Sequence, residues 1–288
     1  MNESGFIDLH THSSCSDGTF TPTELARYAA EKGLAAFALT DHDTVDGLSE
    51  AAMAASACGL EFVPGIEFST EYQSRDIHIV GLDIHPEQAD FSRKLLDFQK
   101  SRDERNAEML ERLRTIGGFD LTEEELRAAY GQDTVLTRAH FGRMLFEKGY
   151  VSSISEAFDR YLGDRCPCFV PRKKTAPEEA VGLILAAGGI PVLAHPLLYG
   201  MGADRLTELT LKLKNAGLKA LEALYSTYTA RDENQMRRLA RQTGLQISGG
   251  SDFHGKNKPF IDLGSGRGNL KIPYEILEQL RKNTLERR

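Results

Sequence analysis

The 288-residue sequence predicts an α/β fold, a mainly parallel sheet or barrel interrupted by a helical insertion. Three observations carry this expectation. Short apolar runs suited to buried strands alternate with helical stretches at both ends of the chain. Those runs end repeatedly in histidines and carboxylates, the strand edge at which α/β folds build their sites. Between about Glu87 and Phe169 strand signals give way to charged helices.

Taken in order, the short run Phe6-Ile7 leads into Asp8-Leu9-His10-Thr11-His12, where two histidines two positions apart share one face of an extended chain. Asp17 follows after a Ser-rich turn. Taken alone, a His-x-His pair fits a polar strand end as well as an ion site. Thr21, Pro22 and Glu24 spell a helix start, with a capping threonine, proline at the first helical position and glutamate three residues after the cap. This helix stops at Gly33. Leu34 to Leu39 reads as a strand ending in Thr40-Asp41-His42-Asp43, and a helix from about Asp46 to Cys58 follows. Glu61 to Ile66 is a strand ending in Glu67, and Asp76 to Leu82 is a strand containing His78.

The insertion carries expected helices at Phe91 to Leu113, Leu121 to Tyr130, Arg138 to Lys148 and Ser153 to Leu162, before the basic stretch Val170-Pro171-Arg172-Lys173-Lys174 leads back. Pro177 to Ala187 is a helix and Ile190 to Ala194 a strand ending in His195-Pro196. Alternation continues through Asp204 to Ala216, Ala220 to Leu224, Ala230 to Gln242 and Leu245 to Ser248. That last strand ends in Ser251-Asp252-Phe253-His254, and Pro273 to Glu286 closes as a helix. The expected organisation is therefore 1–86 with 170–288 as the main domain and 87–169 as a helical insertion.

Bulk properties narrow the function classes. A net charge of −7 argues against a protein that coats long nucleic acid through phosphate contacts, although bound cations would reverse the field in a pocket. The start lacks a signal peptide's basic and apolar regions, and the run Val181 to Ala194 is too short to span a bilayer. The expectation is a cytoplasmic protein with no membrane partner. Cys15, Cys58, Cys166 and Cys168 form no disulfide framework and no zinc-knuckle spacing, so reduced thiols are expected.

Six of the eight histidines, His10, His12, His42, His78, His195 and His254, fall in or after expected strands beside Asp17, Glu67 and Asp252. Singly, each fits a hydrogen-bonded structural residue; jointly they point to a metal site. The segments Asp8-Leu9-His10-Thr11-His12, Ser16-Asp17-Gly18, Thr40-Asp41-His42, Gly65-Ile66-Glu67, His78-Ile79-Val80-Gly81, Ala194-His195-Pro196 and Ser251-Asp252-Phe253-His254 resemble, in order, the motifs of the PHP (polymerase and histidinol phosphatase) family. The resemblance implies a distorted (β/α)7 barrel, a trinuclear metal centre at its C-terminal face and an insertion capping that face.

It further implies ligand sets: His10, His12, Glu67 and Asp252 for one ion; Glu67 as a bridge with His78 and His195 for a second; Asp17, His42 and His254 for a third. Imidazole and carboxylate donors suit manganese, iron or zinc, and the absence of cysteine disfavours a closed structural zinc. Asp41 and Asp43 are expected to orient ligands or to play structural parts. Thr137-Arg138-Ala139-His140-Phe141 is similar to the substrate segment of family members with such an insertion, the bacterial 3′,5′-nucleoside bisphosphate phosphatases that also act as 5′→3′ exoribonucleases. There the Arg138 guanidinium would bind phosphate, with His140 beside it. His85 matches no motif and reads as a loop histidine.

One segment departs from the family. Relatives read Gly-Lys-Pro-x-Tyr-Val where this chain has Asp164-Arg165-Cys166-Pro167-Cys168-Phe169-Val170, so Arg165 is the candidate basic residue and the tyrosine hydroxyl is lost. Arg172, Lys173 and Lys174 read either as a rim for an anionic substrate or as a solvated face.

The implied activity is metal-dependent phosphomonoester hydrolysis. A hydroxide bridging the Glu67-linked ions would attack phosphorus, and metal-bound water or His140 would protonate the leaving oxygen. The implied substrates are phosphate-bearing small molecules or short oligonucleotides: 3′,5′-nucleoside bisphosphates, and 5′-phosphorylated short RNA. Histidinol phosphatase or another small-molecule phosphatase is the alternative within the class; a non-catalytic metal-binding regulatory module is the alternative outside it.

Overall fold

Strand β1 (Phe6–Asp8) pairs in parallel with β2 (Ala36–Leu39), and β2 with β3 (Glu61–Tyr72), in a computed structural model that describes residues 5–163, 165–170 and 176–285. Strand β4 (Arg75–Leu82) then runs antiparallel to both β3 and β5 (Ile190–Leu193). Parallel pairing resumes from β5 through β6 (Ala220–Tyr225) to β7 (Gln246–Gly250), and the two-residue β8 (Ile272–Pro273) adds antiparallel to β1. The sheet order is β7-β6-β5-β4-β3-β2-β1-β8. It curls nearly closed, because Leu9 N–H donates to Gly249 O at 3.3 Å, His12 N–H to Phe253 O at 2.9 Å and Asp252 N–H to His10 O at 2.8 Å. Gly250 permits the seam: a Cβ there would lie 2.2 Å from His10 Cβ. The α/β barrel expected for the chain is thus present, with the eighth strand appended to the ring.

The central hairpin differs from the sequence expectation of two short separate strands. β3 continues through Glu67 to Tyr72 and turns back in two residues, Gln73 and Ser74, at φ 51° and 60°. Positive φ at both turn residues is the twist-matched two-residue hairpin, usually marked by Asn-Gly or Asp-Gly. Gln-Ser carries no such mark, so the sequence hides the turn.

Helices α1 (Pro22–Glu31) and α2 (Leu48–Ala57) link the first strands, and α1 opens with the expected box between Thr21 and Glu24. The core joins Ile7, Ala38, Val63, Val80 and Val192 to Leu277 and Leu280 of the last helix. The chain divides into two compact units, Met1–Lys94 with Thr175–Arg288, and Leu95–Lys174. Helix α3 (Ala89–Thr115) leaves the first unit and enters the second, which contains α4 (Glu123–Tyr130), α5 (Arg138–Glu147) and α6 (Ile154–Ala157) around Met109, Leu113, Leu126, Phe141 and Leu162. The helix expected to Leu162 changes winding at Phe158, where Gly163 N–H closes a π-turn on Phe158 O at 2.8 Å.

Helices α7 (Pro177–Ala186), α8 (Ala203–Ala216) and α9 (Ala230–Thr243) complete the first unit's strand connections, and α10 (Glu275–Leu285) closes the chain. Arg281 of α10 holds Glu61 at 2.5 Å and Asp83 at 2.7 and 2.9 Å. All four cysteines are free. Among the described residues no helix is long and apolar enough to cross a membrane.

Candidate metal centre

Parallel strands deliver the residues that follow them to one mouth of a barrel. His10 and His12 follow β1, His42 follows β2, His195 follows β5, and Asp252 and His254 follow β7. Glu67 and His78 are mid-strand rather than terminal. The antiparallel course of β4 resolves this: its N-terminal half lies beside the C-terminal half of β3, with Ser69 opposite His78 and Ala194 N–H donating to His78 O at 3.1 Å. Eight of the nine residues are buried and His78 is half-buried.

Glu67 is the hub. Its Oε2 lies 3.2 Å from His10 Nε2, His12 Nε2 and His42 Nδ1, and its Oε1 lies 2.9 Å from His78 Nδ1 and 3.1 Å from His195 Nε2. Asp252 Oδ1 sits 3.4 Å from His12 Nε2, 3.7 Å from His10 Nε2 and 3.3 Å from His254 Nδ1. Asp17 Oδ1 is 3.2 Å from His254 Nε2, and its Oδ2 is 3.9 Å from His42 Nε2. The turn that carries Asp17 is pinned by Asp41, which accepts from Ser13 N–H at 2.8 Å and from the Ser13 and Ser16 hydroxyls at 2.5 Å. Asp43 accepts from Ser69 N–H at 3.0 Å.

These donors fit a bound cation. A tetrahedral ion with bonds of about 2.1 Å separates its ligand atoms by about 3.4 Å. Among His10 Nε2, His12 Nε2, Glu67 Oε2 and Asp252 Oδ1, five distances are 3.1, 3.2, 3.2, 3.4 and 3.7 Å. Two imidazole nitrogens 3.1 Å apart cannot both direct lone pairs at each other without a proton or cation between them. Buried His12 Nδ1 and His195 Nδ1 make no hydrogen bond within the protein. His12, Asp17, His42 and His254 form a further group able to hold an ion, as do His42, Glu67 and His78. His42 therefore presents one ring nitrogen to each of two neighbouring groups.

Electrostatics follow the same pattern. Burial opposes charge on His10 and His12, yet Glu222, Glu67 and Asp252 hold His10 well above its ordinary range, and hydrogen bonds to Asp252 and Glu67 raise His12 to about 9. Against burial, the surrounding histidines hold Asp17 and Glu67 well below the carboxylate range; Lys258 and the histidines do so for Asp252. Burial pushes His42 down to about 3 and also lowers His254. The raised histidines and lowered carboxylates together mark a strongly negative pocket, the field that a bound cation would neutralise.

Several functional neighbours escaped the sequence expectation. Glu222 Oε1 lies 2.8 Å from His10 Nδ1, and its Oε2 accepts from His195 N–H at 2.7 Å. Tyr225 O–H and Lys258 Nζ both donate to Asp252 Oδ2 at 2.6 Å, which leaves Oδ1 for the histidines. One signal was available: Glu222 is the sole ionisable side chain within the apolar run Ala220-Leu221-Glu222-Ala223-Leu224.

Arg138 and His140 belong to the second unit, at the start of α5. Arg138 Nη1 donates to Leu162 O at 3.4 Å and its guanidinium lies 5.3 Å from the Phe169 ring centre. His140 Nδ1 accepts from Thr137 N–H at 2.9 Å in a capping box. His85 is an exposed loop residue near Glu87 at 3.8 Å. Arg165 is exposed with φ 73°. Asp164, Arg172, Lys173 and Lys174 lie outside the described residues.

A mixed α/β barrel with buried imidazoles and carboxylates converging at one mouth defines a barrel protein equipped to hold metal ions. The chain belongs to the PHP family: the PHP domain matches residues 8–164. It is 38% identical over 267 residues to a 5′-3′ exoribonuclease of Haemophilus influenzae, covering 88% of this chain and 95% of that one. It is 36% identical over 258 residues to a 3′,5′-nucleoside bisphosphate phosphatase of Chromobacterium violaceum, covering 90% of each. A solved amidohydrolase structure from Chromobacterium violaceum with bound sulfate superposes with a TM-score of 0.85 at 34% identity, covering 96% of both chains.

Proposed function

We propose that this chain is a metal-dependent phosphoesterase that removes phosphate from nucleotides, with 3′,5′-nucleoside bisphosphates as first substrate class and 5′-phosphorylated short RNA as second. The observation that carries the proposal is the set of tetrahedral-edge distances among His10, His12, Glu67 and Asp252. The names of its relatives support the nucleotide substrate.

In this proposal His10, His12, Glu67 and Asp252 hold one ion, Glu67, His78 and His195 a second, and Asp17, His42 and His254 a third, with manganese, iron or zinc suited to the donors. Bound ions supply Lewis-acid charge for phosphate oxygens and lower the pKa of water. The chain supplies position and dryness: His10, His12 and Glu67 are at most 1% exposed, so the field they set is weakly screened. Tyr225 and Lys258 turn the Asp252 carboxylate so that Oδ1 meets the histidines. Arg138 is assigned the substrate phosphate, for which its fork of donors is suited. His140 Nδ1 is engaged in the helix cap, which restricts any proton transfer by this residue to Nε2.

The test is phosphate release by the metal-reconstituted chain from adenosine 3′,5′-bisphosphate, a short 5′-phosphorylated RNA and histidinol phosphate. Release from the first two is expected. Turnover of histidinol phosphate alone moves the protein to the small-molecule phosphatases. No release from any, with fewer than two ions bound per chain, makes it a non-catalytic metal-binding module.

A further inference from the structure

Strand β6 contributes none of the expected metal ligands, yet two of its side chains reach the centre. Glu222 meets His10 and His195, and Tyr225 meets Asp252. Residues three apart in a regular strand face opposite sides of a sheet. The ladder to β7 explains the exception: Glu222 pairs with Ser248 and Leu224 with Gly249, so Ala223 is an extra residue in a β-bulge. The added residue resets the alternation and aims both Glu222 and Tyr225 at the mouth, as bulges beside active sites do.

Glu222 spans the hub. On the Oε2 side of Glu67, its bond to His10 Nδ1 fixes the tautomer that leaves the His10 Nε2 lone pair 3.2 Å from that oxygen. On the Oε1 side, it accepts from the backbone of His195, whose φ of 31° and ψ of 55° are left-handed for a non-glycine residue. Such a conformation persists only where surrounding bonds over-determine it. Held this way, His195 Nε2 lies 3.1 Å from Glu67 Oε1.

We infer that Glu222 is a positioning residue that couples the two halves of the metal centre, orienting one ligand on each side of Glu67, whereas Tyr225 positions Asp252 alone. The inference rests on the metal-centre assignment proposed above. Glu222→Gln keeps shape but not function, because one amide oxygen cannot accept from both partners. If the oxygen serves His195 N–H, the amide NH2 faces His10 Nδ1 and drives the proton to Nε2, where the ion belongs. If it serves His10, the NH2 opposes His195 N–H.

The test is titration of the full metal-free chain with Mn2+, read by the paramagnetic resonance of free ion, and with Zn2+ against a chelator. Long-range 1H–15N spectra of the histidine rings, recorded on the Zn2+-loaded chain, run alongside. Because E222Q mispairs one partner in each amide orientation and removes the negative charge that both partners share, it is expected to weaken two sites by about 10–100-fold, the usual range for a ligand's orienting partner, and to move the His10 proton from Nδ1 to Nε2 or leave its tautomer mixed. Y225F is expected to weaken one site and leave the His10 tautomer unchanged. Glu222→Asp, shorter by one methylene, keeps the charge but reaches one partner, so it too loses affinity and serves should E222Q not fold. Wild-type affinity at both sites in either Glu222 variant, or loss confined to a single site in E222Q, overturns the inference. If the wild type itself takes up neither metal, the metal-centre proposal falls instead.

Discussion

Replacing Glu67 by glutamine isolates charge from packing. The two side chains are nearly isosteric, so the core around this buried residue is preserved and repacking costs stay small. What changes is the donor set. Glu67 places two oxygens within 2.9–3.2 Å of five imidazoles, and an amide turns one oxygen into an N–H donor facing lone pairs that should face an ion. Loss of a ligand's orienting partner costs about 10–100-fold in metal affinity, and a ligand shared by two groups exceeds that range, giving at least about 100-fold, or about 2.7 kcal/mol, at each. A smaller effect opposes it. Glu67 is among the groups that raise His12 to about 9, so E67Q eases proton competition below that pH. Chelator competition with Mn2+ and Zn2+ above pH 9 removes the opposing effect, and phosphate release is measured on the same samples. Undiminished affinity together with undiminished phosphate release in E67Q would refute Glu67 as the shared ligand.

Gly250→Ala tests the seam of the barrel. A Cβ 2.2 Å from His10 Cβ demands a shift of at least about 1.2 Å to reach ordinary contact, whereas metal–nitrogen distances tolerate about 0.2 Å. Melting should show a loss of about 1–3 kcal/mol together with weakened metal uptake, and a variant unchanged in both contradicts the packing argument. The metal-free protein should lose stability as pH rises from 6.5 through about 9, because His12 has a folded pKa above its ordinary 6.5 and its contribution is complete only below that value. Metal affinity should rise over the same window as the competing proton leaves, and thermal melts with and without metal at several pH values check both signs. Arg138→Ala should raise KM for the bisphosphate at a cost of about 1.5–3 kcal/mol while leaving metal content unchanged, and steady-state kinetics decide.

The succession of seven strands along the chain and the residues after β1, β2, β5 and β7 were legible in the sequence. A parallel strand read as a continuous apolar run delivers whatever follows it to one barrel mouth, so His10, His12, His42, His195, Asp252 and His254 were located by their place alone. Composition along the chain likewise separated helical from strand-rich stretches. Three features were decided only by tertiary structure. The reversal at Gln73 and Ser74 has no turn signature, yet it makes Glu67 and His78 neighbours across an antiparallel pair. The bulge at Ala223 exists only in the pairing of β6 with β7, so no alternation count over β6 could have aimed Glu222 and Tyr225 at one site. The division of the Asp252 carboxylate, with Oδ2 held by Tyr225 and Lys258 and Oδ1 facing the histidines, depends on contacts among β6, the end of β7 and the segment beyond. Local pattern records which side chains a strand carries; which atoms of those side chains meet depends on registers and turns that form only when the strands pair.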